Sequence, residues 1–223
     1  MDSQFQNIKE IVANELSCSA HQMDHVMRVY ELCLSLAKNE DVDLDVLKAA
    51  ALLHDIARVK EDNDSSGNTD HAVLGAEMAG PILKRLGFND EKIKHIQDCI
   101  VSHRYRTGNR PETKEAQILF DADKLDTAGA IGVARGFVWV GRNNAKIYTD
   151  IDIDEYIKDN LGGDISGRIQ DKTKHSQQIE FETKLKFLED RLHTKKAKEI
   201  CRERLAYYKS FLDRLEKEIK GEL

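Results

Sequence analysis

Residues 46–59, VLKAAALLHDIARV, constrain the fold more than any other stretch of this chain. A helix over these residues is apolar on nearly every side, which is the pattern of a central, buried helix. The adjacent His54 and Asp55 stand at its end. Because an imidazole and a carboxylate are costly to bury alone, such groups are normally hydrogen-bonded, ion-paired or bound to a metal. The stretch therefore predicts a helical core that ends in a polar pair in need of partners.

Composition limits the classes of protein and partner. With 223 residues, 40% of them hydrophobic and 33% charged, the chain is expected to be globular, with one domain or one domain and an appendage. A net charge of -6 argues against a nucleic-acid polymer as partner, which calls for a basic surface. No apolar run approaches the roughly 20 residues that span a bilayer, and the N-terminus lacks the order of a signal peptide. We expect a cytoplasmic protein with no membrane partner.

The four cysteines, Cys18, Cys33, Cys99 and Cys201, are widely separated and form no CxxC pair. Three of them fall in predicted helices. This spacing favours buried, reduced thiols over disulfides or zinc ligands.

Helical periodicity continues on both sides of the central stretch. A first helix is predicted over residues 3–17, followed by a turn near 17–21. A second helix is predicted over 24–38, capped by Asp24, with His25 on the same core-facing side as Val29. Asp43 is the expected cap of the central helix. These spacings direct His25 and His54 toward one core.

The segment after the central helix predicts a loop and two further helices. Residues 60–69 have the composition of a surface loop and are expected to border the site. Asp70 is predicted to cap a helix that starts at His71, is kinked or divided at Pro81 and ends at Gly87. The next helix covers 90–102 and ends at His103. A basic cluster of candidate phosphate contacts follows it: Arg104, Arg106 and Arg110.

Residues 113–140 read as one long helix, on which Asp123 and Asp126 share or adjoin a face while Asp121 points elsewhere. Its Gly129 and Gly132 are interpreted as positions where helices approach closely, since no strand or GK[ST] motif accompanies them. The glycine-rich residues 141–175 are predicted to form a mobile insertion or lid. Residues 179–223 carry two amphipathic helices. The expected organisation is a helical domain over 1–140, the insertion over 141–175 and C-terminal helices over 176–223 that pack on the same domain.

One His, an adjacent His-Asp pair and a distant Asp in the sequence DADKLD occur here in that order. This constellation resembles the HD-domain metal-dependent phosphohydrolase superfamily over roughly residues 20–140. The longer motif DADKLDTAGAIGVAR is similar to a smaller subgroup of bacterial and archaeal HD hydrolases, whose similarity continues into the C-terminal helices. The resemblance implies an all-α HD-domain helical bundle with a C-terminal helical extension. It also implies metal ligation by His25, His54, Asp55 and Asp123, with Asp121 as the alternative last ligand.

A second part of the resemblance concerns a second metal. Some two-metal branches of the family add a His four residues before a Gly-Ala pair and another at a later helix end. Here His71 precedes Gly75-Ala76 and His103 ends its predicted helix. The resemblance then implies that Asp55 bridges two ions, although single-metal members leave the number at one or two per chain. Branches with a catalytic Glu three residues after the His-Asp pair differ from this chain, which has Arg58 there.

Imidazole and carboxylate ligands together suit Mn, Fe, Co, Ni, Zn or Mg. Such an ion makes a bound water acidic and neutralises charge on a phosphoryl oxygen, so hydrolysis of a phosphoester or phosphoanhydride is the natural use. Lys124, Arg58, Arg104 and Arg106 are the candidate phosphate contacts. Asp126 is the candidate to orient water or receive a proton. The expected partner is a small phosphorylated compound, most plausibly a nucleotide.

Other interpretations of these residues stay open at this point. The arginine cluster also fits a solvated loop, and Lys124 or Asp126 also fits an ion pair on a helix surface. At the level of function, the rivals are a regulatory HD protein that binds a nucleotide without turnover and a diiron HD oxygenase. Association with a second copy of the chain is also left open.

Overall fold

The computed structural model describes residues 3–16, 20–104 and 108–223, with side chains for all of these except 20–22. These parts of the chain are helical and contain no β-strand, as the sequence predicts. They divide into two compact units, Met1–Asp123 and Lys124–Leu223. No helix in the described ranges is long and apolar enough to cross a membrane.

The first unit is assembled around the central helix. Its helices are α1 (Ser3–Glu15), α2 (Ala20–Leu36), α3 (Leu44–Leu53), α4 (Arg58–Asn63), α5 (His71–Arg85) and α6 (Asp90–Ser102), and α7 (Lys114–Leu125) begins in this unit. From Val46 to Leu53 every side chain of α3 except Lys48 is buried, and α1, α2, α5 and α6 pack around this helix. The burial predicted from the all-round apolar pattern of residues 46–53 is therefore confirmed.

Helix caps fix where several of these elements begin. Asp43 accepts hydrogen bonds from the backbone amides of Asp45 and Val46, and Asp70 does the same at the start of α5, as predicted. The Asp43 backbone amide in turn donates to Glu115 Oε1 of α7 at 2.7 Å. This bond ties the start of α3 to the start of α7 within the first unit.

Two predictions for the first unit are wrong in detail, and a third is wrong in part. Helix α2 begins at Ala20, so Asp24 lies inside the helix and does not cap it. Residues 60–63 belong to α4, so only the later part of the predicted loop is a loop. Pro81 does not divide α5, which continues through this exposed position to Arg85, and a kink there stays a prediction. Gly87, with φ of +84°, ends this helix region as expected.

The predicted long helix over 113–140 is also wrong. The structure has α7 and then α8 (Gly129–Arg142), because the chain turns at Thr127–Ala128 and Gly129 takes a φ of +71°, which favours glycine. A Cβ on Gly129 would lie 3.0 Å from the Arg204 side chain. A Cβ on Gly132 would lie 2.2 Å from the Thr127 carbonyl oxygen within the turn and 3.2 Å from the side chain of Tyr208, which belongs to the last helix of the chain. The close approach predicted at these two glycines is confirmed.

The second unit continues with α9 (Ile153–Asn160), α10 (Gln177–Thr183), α11 (Leu188–Arg191) and α12 (Lys195–Ile219). The first of the two predicted C-terminal helices is thus broken into short pieces. A core cluster joins Val133 of α8 to Phe181, Leu185, Tyr208 and Leu212. Residues 141–175 contain α9 and contribute Tyr156 and Leu161 to a smaller apolar cluster. Mobility of that segment stays a prediction.

Cys33, Cys99 and Cys201 are buried and reduced, which confirms the prediction for these three thiols. Cys18 and the centre of the predicted turn lie outside the described residues.

Candidate metal centre

The His54-Asp55 pair lies where α3 ends. His54 is the last residue to continue the helical conformation and its side chain is fully buried. Its Nδ1 lies 2.8 Å from the Ala51 carbonyl oxygen, which only accepts hydrogen bonds, so Nδ1 carries the proton. Nε2 of the neutral ring therefore presents a lone pair.

A first set of ligand atoms surrounds this lone pair. His25 Nε2 lies 3.4 Å from His54 Nε2 and 3.1 Å from Asp123 Oδ1. Asp55 Oδ2 lies 3.7 Å from His25 Nε2 and 3.8 Å from His54 Nε2. The structure thus brings together the four residues that the resemblance implies for one ion. Asp121 is fully buried, and Asp123 is the residue whose carboxylate meets the imidazoles.

A second set lies on the other oxygen of Asp55. Asp55 Oδ1 is 3.3 Å from His71 Nε2 and 3.7 Å from His103 Nε2, and these two nitrogens are 3.3 Å apart. His103 follows the last residue of α6, and its Nδ1 lies 2.5 Å from the Ile100 carbonyl oxygen. His71 opens α5, and its Nδ1 lies 2.6 Å from Glu61 Oε2. Both imidazoles therefore direct an Nε2 lone pair at the same oxygen.

Glu61 is a neighbour of the candidate ligands that sequence reasoning missed. Its Oε2 binds His71, and its Oε1 lies 2.8 Å from Arg104 Nη1, which also contacts Asp70 Oδ2 at 2.8 Å. A carboxylate on the far nitrogen of a ligating histidine fixes the tautomer and the orientation of the ring. Glu61 falls in the segment interpreted as a surface loop, and no spacing rule marks it in the sequence.

Burial and neighbouring groups set the protonation of the pair. Burial lowers the pKa of His54 to about 4, so the ring is neutral near pH 7. Burial alone would raise the pKa of Asp55, but the surrounding imidazoles of His54, His103 and His25 outweigh it and hold the pKa well below its usual range. Burial also lowers the pKa of His71. The site thus holds an ionised carboxylate beside the neutral imidazoles of His54 and His71.

This donor set fits a divalent metal. Where both ring tautomers are fixed, at His71 and His103, two lone pairs and a carboxylate oxygen converge with no proton between them. His25, His54 and Asp55 make a comparable group, and the ligand atoms within each of the two groups lie within 4.8 Å of one another. Imidazole and carboxylate ligands suit Mn, Fe, Co, Ni or Zn. Asp55 contributes one carboxylate oxygen to each group, so the arrangement fits either one ion or a pair of ions.

The other predicted residues have contacts of their own. Arg58 pairs with Glu61 and Asp62 on α4, at 3.3 and 3.1 Å. Lys124 is half-buried near the end of α7. Asp126 is buried, and its carboxylate accepts a hydrogen bond from Arg135 Nη1. Arg104 binds the two carboxylates described above.

Arg106 lies outside the described residues. Arg110 is exposed. The assignment of these basic residues to phosphate therefore stays a prediction.

Comparison with known proteins gives a consistent family. The HD domain profile matches residues 23–128. The protein YpgQ of Bacillus subtilis is 28% identical over 96% of this chain and 91% of its own length. The crystal structure of YpgQ in complex with ADP has a TM-score of 0.72 at 26% identity and covers 98% of this chain and 96% of that one.

An HD-superfamily hydrolase from Bacillus thuringiensis shares the fold, with a TM-score of 0.66 at 23% identity over 97% of this chain and 96% of that one. The HD domain match over residues 23–128 includes all the histidines and aspartates of the two ligand groups: His25, His54, Asp55, His71, His103 and Asp123. Residues 23–128 of this chain are therefore an HD domain, as the resemblance to the HD-domain phosphohydrolase superfamily predicts.

Proposed function

We propose that this protein is a metal-dependent phosphohydrolase that cleaves a phosphoester or phosphoanhydride bond of a nucleotide. The observation that carries the proposal is the convergence of acceptor atoms on Asp55. One of its oxygens faces His25 and His54, and the other faces His71 and His103. Acceptors packed this closely repel one another unless a cation lies among them.

When bound, a divalent ion supplies a nucleophilic hydroxide near neutral pH and charge neutralisation on a phosphoryl oxygen. The chain's own part is to hold the ligand atoms in place before substrate arrives. The Ala51 and Ile100 carbonyl oxygens and the Glu61 carboxylate fix the rings of His54, His103 and His71. Such fixed ligands need little reorganisation during the reaction.

The proposed substrate contacts follow the basic residues. We assign Lys124 to the phosphate oxygens, where charge grows in the transition state. Arg104 and Arg58 are assigned the same role as secondary candidates, because both are already paired with Glu61. Asp126 is proposed to orient water or to take up a proton. Support for a nucleotide comes from YpgQ, whose crystal structure contains ADP.

The decisive experiment is a hydrolysis screen on metal-stripped protein. ATP, ADP, AMP and a non-nucleotide phosphoester are supplied with Mn, Co or Ni, and release of phosphate and pyrophosphate is measured together with the nucleoside product. We expect metal-dependent release from a nucleotide. Asp55→Asn, which keeps the shape of the side chain and removes its charge, should abolish it. Asp98→Asn, which neutralises an exposed aspartate on α6 paired with Lys94, is the matched control and should retain it.

Lys124→Ala and Arg104→Ala separate catalysis from binding. A contact that strengthens in the transition state should reduce turnover more than nucleotide affinity, by about 100-fold for one charged group. For Arg104→Ala, a parallel loss of metal affinity would indicate that it acts through Glu61. Nucleotide binding by wild type without hydrolysis under any metal would contradict the enzyme and favour a regulatory protein.

A further inference from the structure

A cavity of about 250 Å³ lies within the second unit, lined by residues of α8, α10 and α12 and by Thr127, Ile169, His175, Lys184 and Leu185. None of the residues that line it belongs to the ligand groups around Asp55. The volume is close to the lower end of the range for small-molecule sites, roughly 300 to 1,000 Å³.

The wall of the cavity is closely packed at two glycines. Gly132 and Gly136 of α8 line the cavity. A Cβ on Gly136 would lie 2.0 Å from Gln177 Oε1. That Gln177 side chain is itself held, because its Nε2 donates to the Gly136 carbonyl oxygen at 3.1 Å and its Oε1 accepts from Tyr208 at 2.6 Å. The wall is therefore fixed before any ligand binds.

Two cations face the cavity. Arg135 and Lys184 both line it, with side chains 41% and 34% exposed. The partner of Arg135 is Asp126, which is buried and is not part of the lining. The partner of Lys184 is Glu180, whose Oε2 accepts from Lys184 at 2.8 Å and lies 3.1 Å from His175 Nε2. The cavity thus presents a guanidinium and an ammonium, which are the usual binding groups for an anionic oxygen group. The Glu180 carboxylate also lines the cavity, so an anionic ligand must displace it from Lys184.

An aromatic ring stands beside these cations. Trp139 lines the cavity and packs edge-to-face on His175, with ring centroids 5.2 Å apart. The orientation of the His175 ring is fixed, because its Nδ1 lies 2.8 Å from the Tyr156 hydroxyl and its Nε2 binds Glu180. Leu185 and Ile169 extend the apolar part of the wall. A flat ring is the ligand group that such a wall accepts.

We propose that this cavity is a second ligand-binding site, which takes a small molecule with one planar aromatic ring and one phosphate group. The ring lies against Trp139 and the phosphate meets Arg135 and Lys184. The size suits one ring and one phosphate rather than a triphosphate. Such a molecule is either a mononucleotide or another aromatic phosphoester, and the two share this chemistry. The site does not depend on the proposed hydrolysis.

The chain contains a single tryptophan, so fluorescence excited selectively at tryptophan reports on Trp139 alone. Full-length, metal-free protein is titrated with AMP, phenyl phosphate, adenosine and inorganic phosphate. We expect saturable changes with AMP, phenyl phosphate or both, and binding at least about tenfold weaker for adenosine and inorganic phosphate. Binding of AMP alone identifies a nucleotide site, and binding of phenyl phosphate identifies the broader class.

Two matched lysines test the location. Lys184 and Lys186 each pair with a glutamate four residues earlier, but only Lys184 lines the cavity. Lys184→Gln should weaken binding about tenfold or more, and Lys186→Gln should change it less than about twofold. Lys184→Arg keeps the charge and should restore binding, which separates lost contact from misfolding. Asp55→Ala should leave binding intact.

Several results would overturn the site. One is that none of the four compounds gives a saturable change, and another is that inorganic phosphate binds as tightly as phenyl phosphate. The others come from the variants: equal weakening in Lys184→Gln and Lys186→Gln, and loss of binding in Asp55→Ala. The last would place the signal at the metal ligands.

Discussion

Replacement of Glu61 by Ala tests whether a residue that holds a metal ligand in place contributes to metal affinity. Glu61 binds His71 Nδ1 at 2.6 Å and Arg104 at 2.8 Å. It makes no described contact with His25, His54 or Asp123. Its removal should therefore loosen the ring of His71 and leave the other ligand group as it is.

The size of the effect follows from the lost bond. Loss of such a group behind a ligating histidine typically weakens metal binding by about 10- to 100-fold. At about 1.4 kcal/mol per tenfold change, this corresponds to about 1.4 to 3 kcal/mol. A hydrogen bond to a charged group contributes about 1.5 to 3 kcal/mol, which agrees. Glu61→Gln keeps an acceptor oxygen and should lose less.

The assay is equilibrium binding of Mn or Zn to stripped protein in competition with a chelator of known affinity. Wild type should bind two equivalents, and Glu61→Ala should bind one of them 10- to 100-fold more weakly. Asp62→Asn removes the neighbouring charge, which pairs with Arg58, and serves as the control. Two equivalents of unchanged affinity in Glu61→Ala would refute the role of Glu61. A wild type that saturates at one equivalent would refute the pair of ions.

Three further predictions concern the metal ligands, a buried carboxylate and a glycine. Asp55→Ala should bind no metal and hydrolyse no substrate while its circular dichroism stays helical, and stoichiometric metal in this variant would disprove the assignment. Burial alone would raise the pKa of Glu180, but its bonds to His175 and Lys184 lower it to about 2. This carboxylate should therefore stabilise the fold fully above its unfolded pKa of 4.5 and progressively less as the pH falls toward 2. The stability difference between wild type and Glu180→Gln in urea should shrink by about 1 kcal/mol between pH 6 and pH 3.5, and a constant difference would contradict the shift. Gly132→Ala should destabilise the protein by about 1 to 3 kcal/mol, because its Cβ would meet the Thr127 carbonyl oxygen. Gly141→Ala on the same helix has open space and should not, so equal thermal midpoints for the two variants would show that the contact at Gly132 is relieved without cost.

The sequence allowed the helical class and the ligand groups to be predicted because both depend on short-range spacing. An all-round apolar helix must be central, and a His at its end must face the core. The order of the His and Asp residues then matched a known constellation. The distances from Asp55 to His25 and His71 became known only from the structure, since they depend on how separate helices pack.

The misses have a common physical cause. The break before Gly129 interrupts a run of good helix-forming residues, and a positive φ at a glycine carries no periodic signal. Glu61 was overlooked because its partner His71 is ten residues away across a turn. The prediction that Asp24 caps α2 is wrong because a capping residue type does not by itself fix a helix start, and α2 begins at Ala20. Rules based on residue spacing along the chain therefore predict helices well, but they predict contacts between distant residues poorly.

Two of the histidines proposed as metal ligands are oriented by their own helices. His54 and His103 each bind the carbonyl oxygen three residues earlier, so a helix end and its ligand form one self-contained module. His71 instead starts a helix and relies on a carboxylate from another segment. Substitutions in α4 and its flanking loop can therefore tune one half of the centre during divergence, while the histidines at helix ends keep their aim as long as their helices persist.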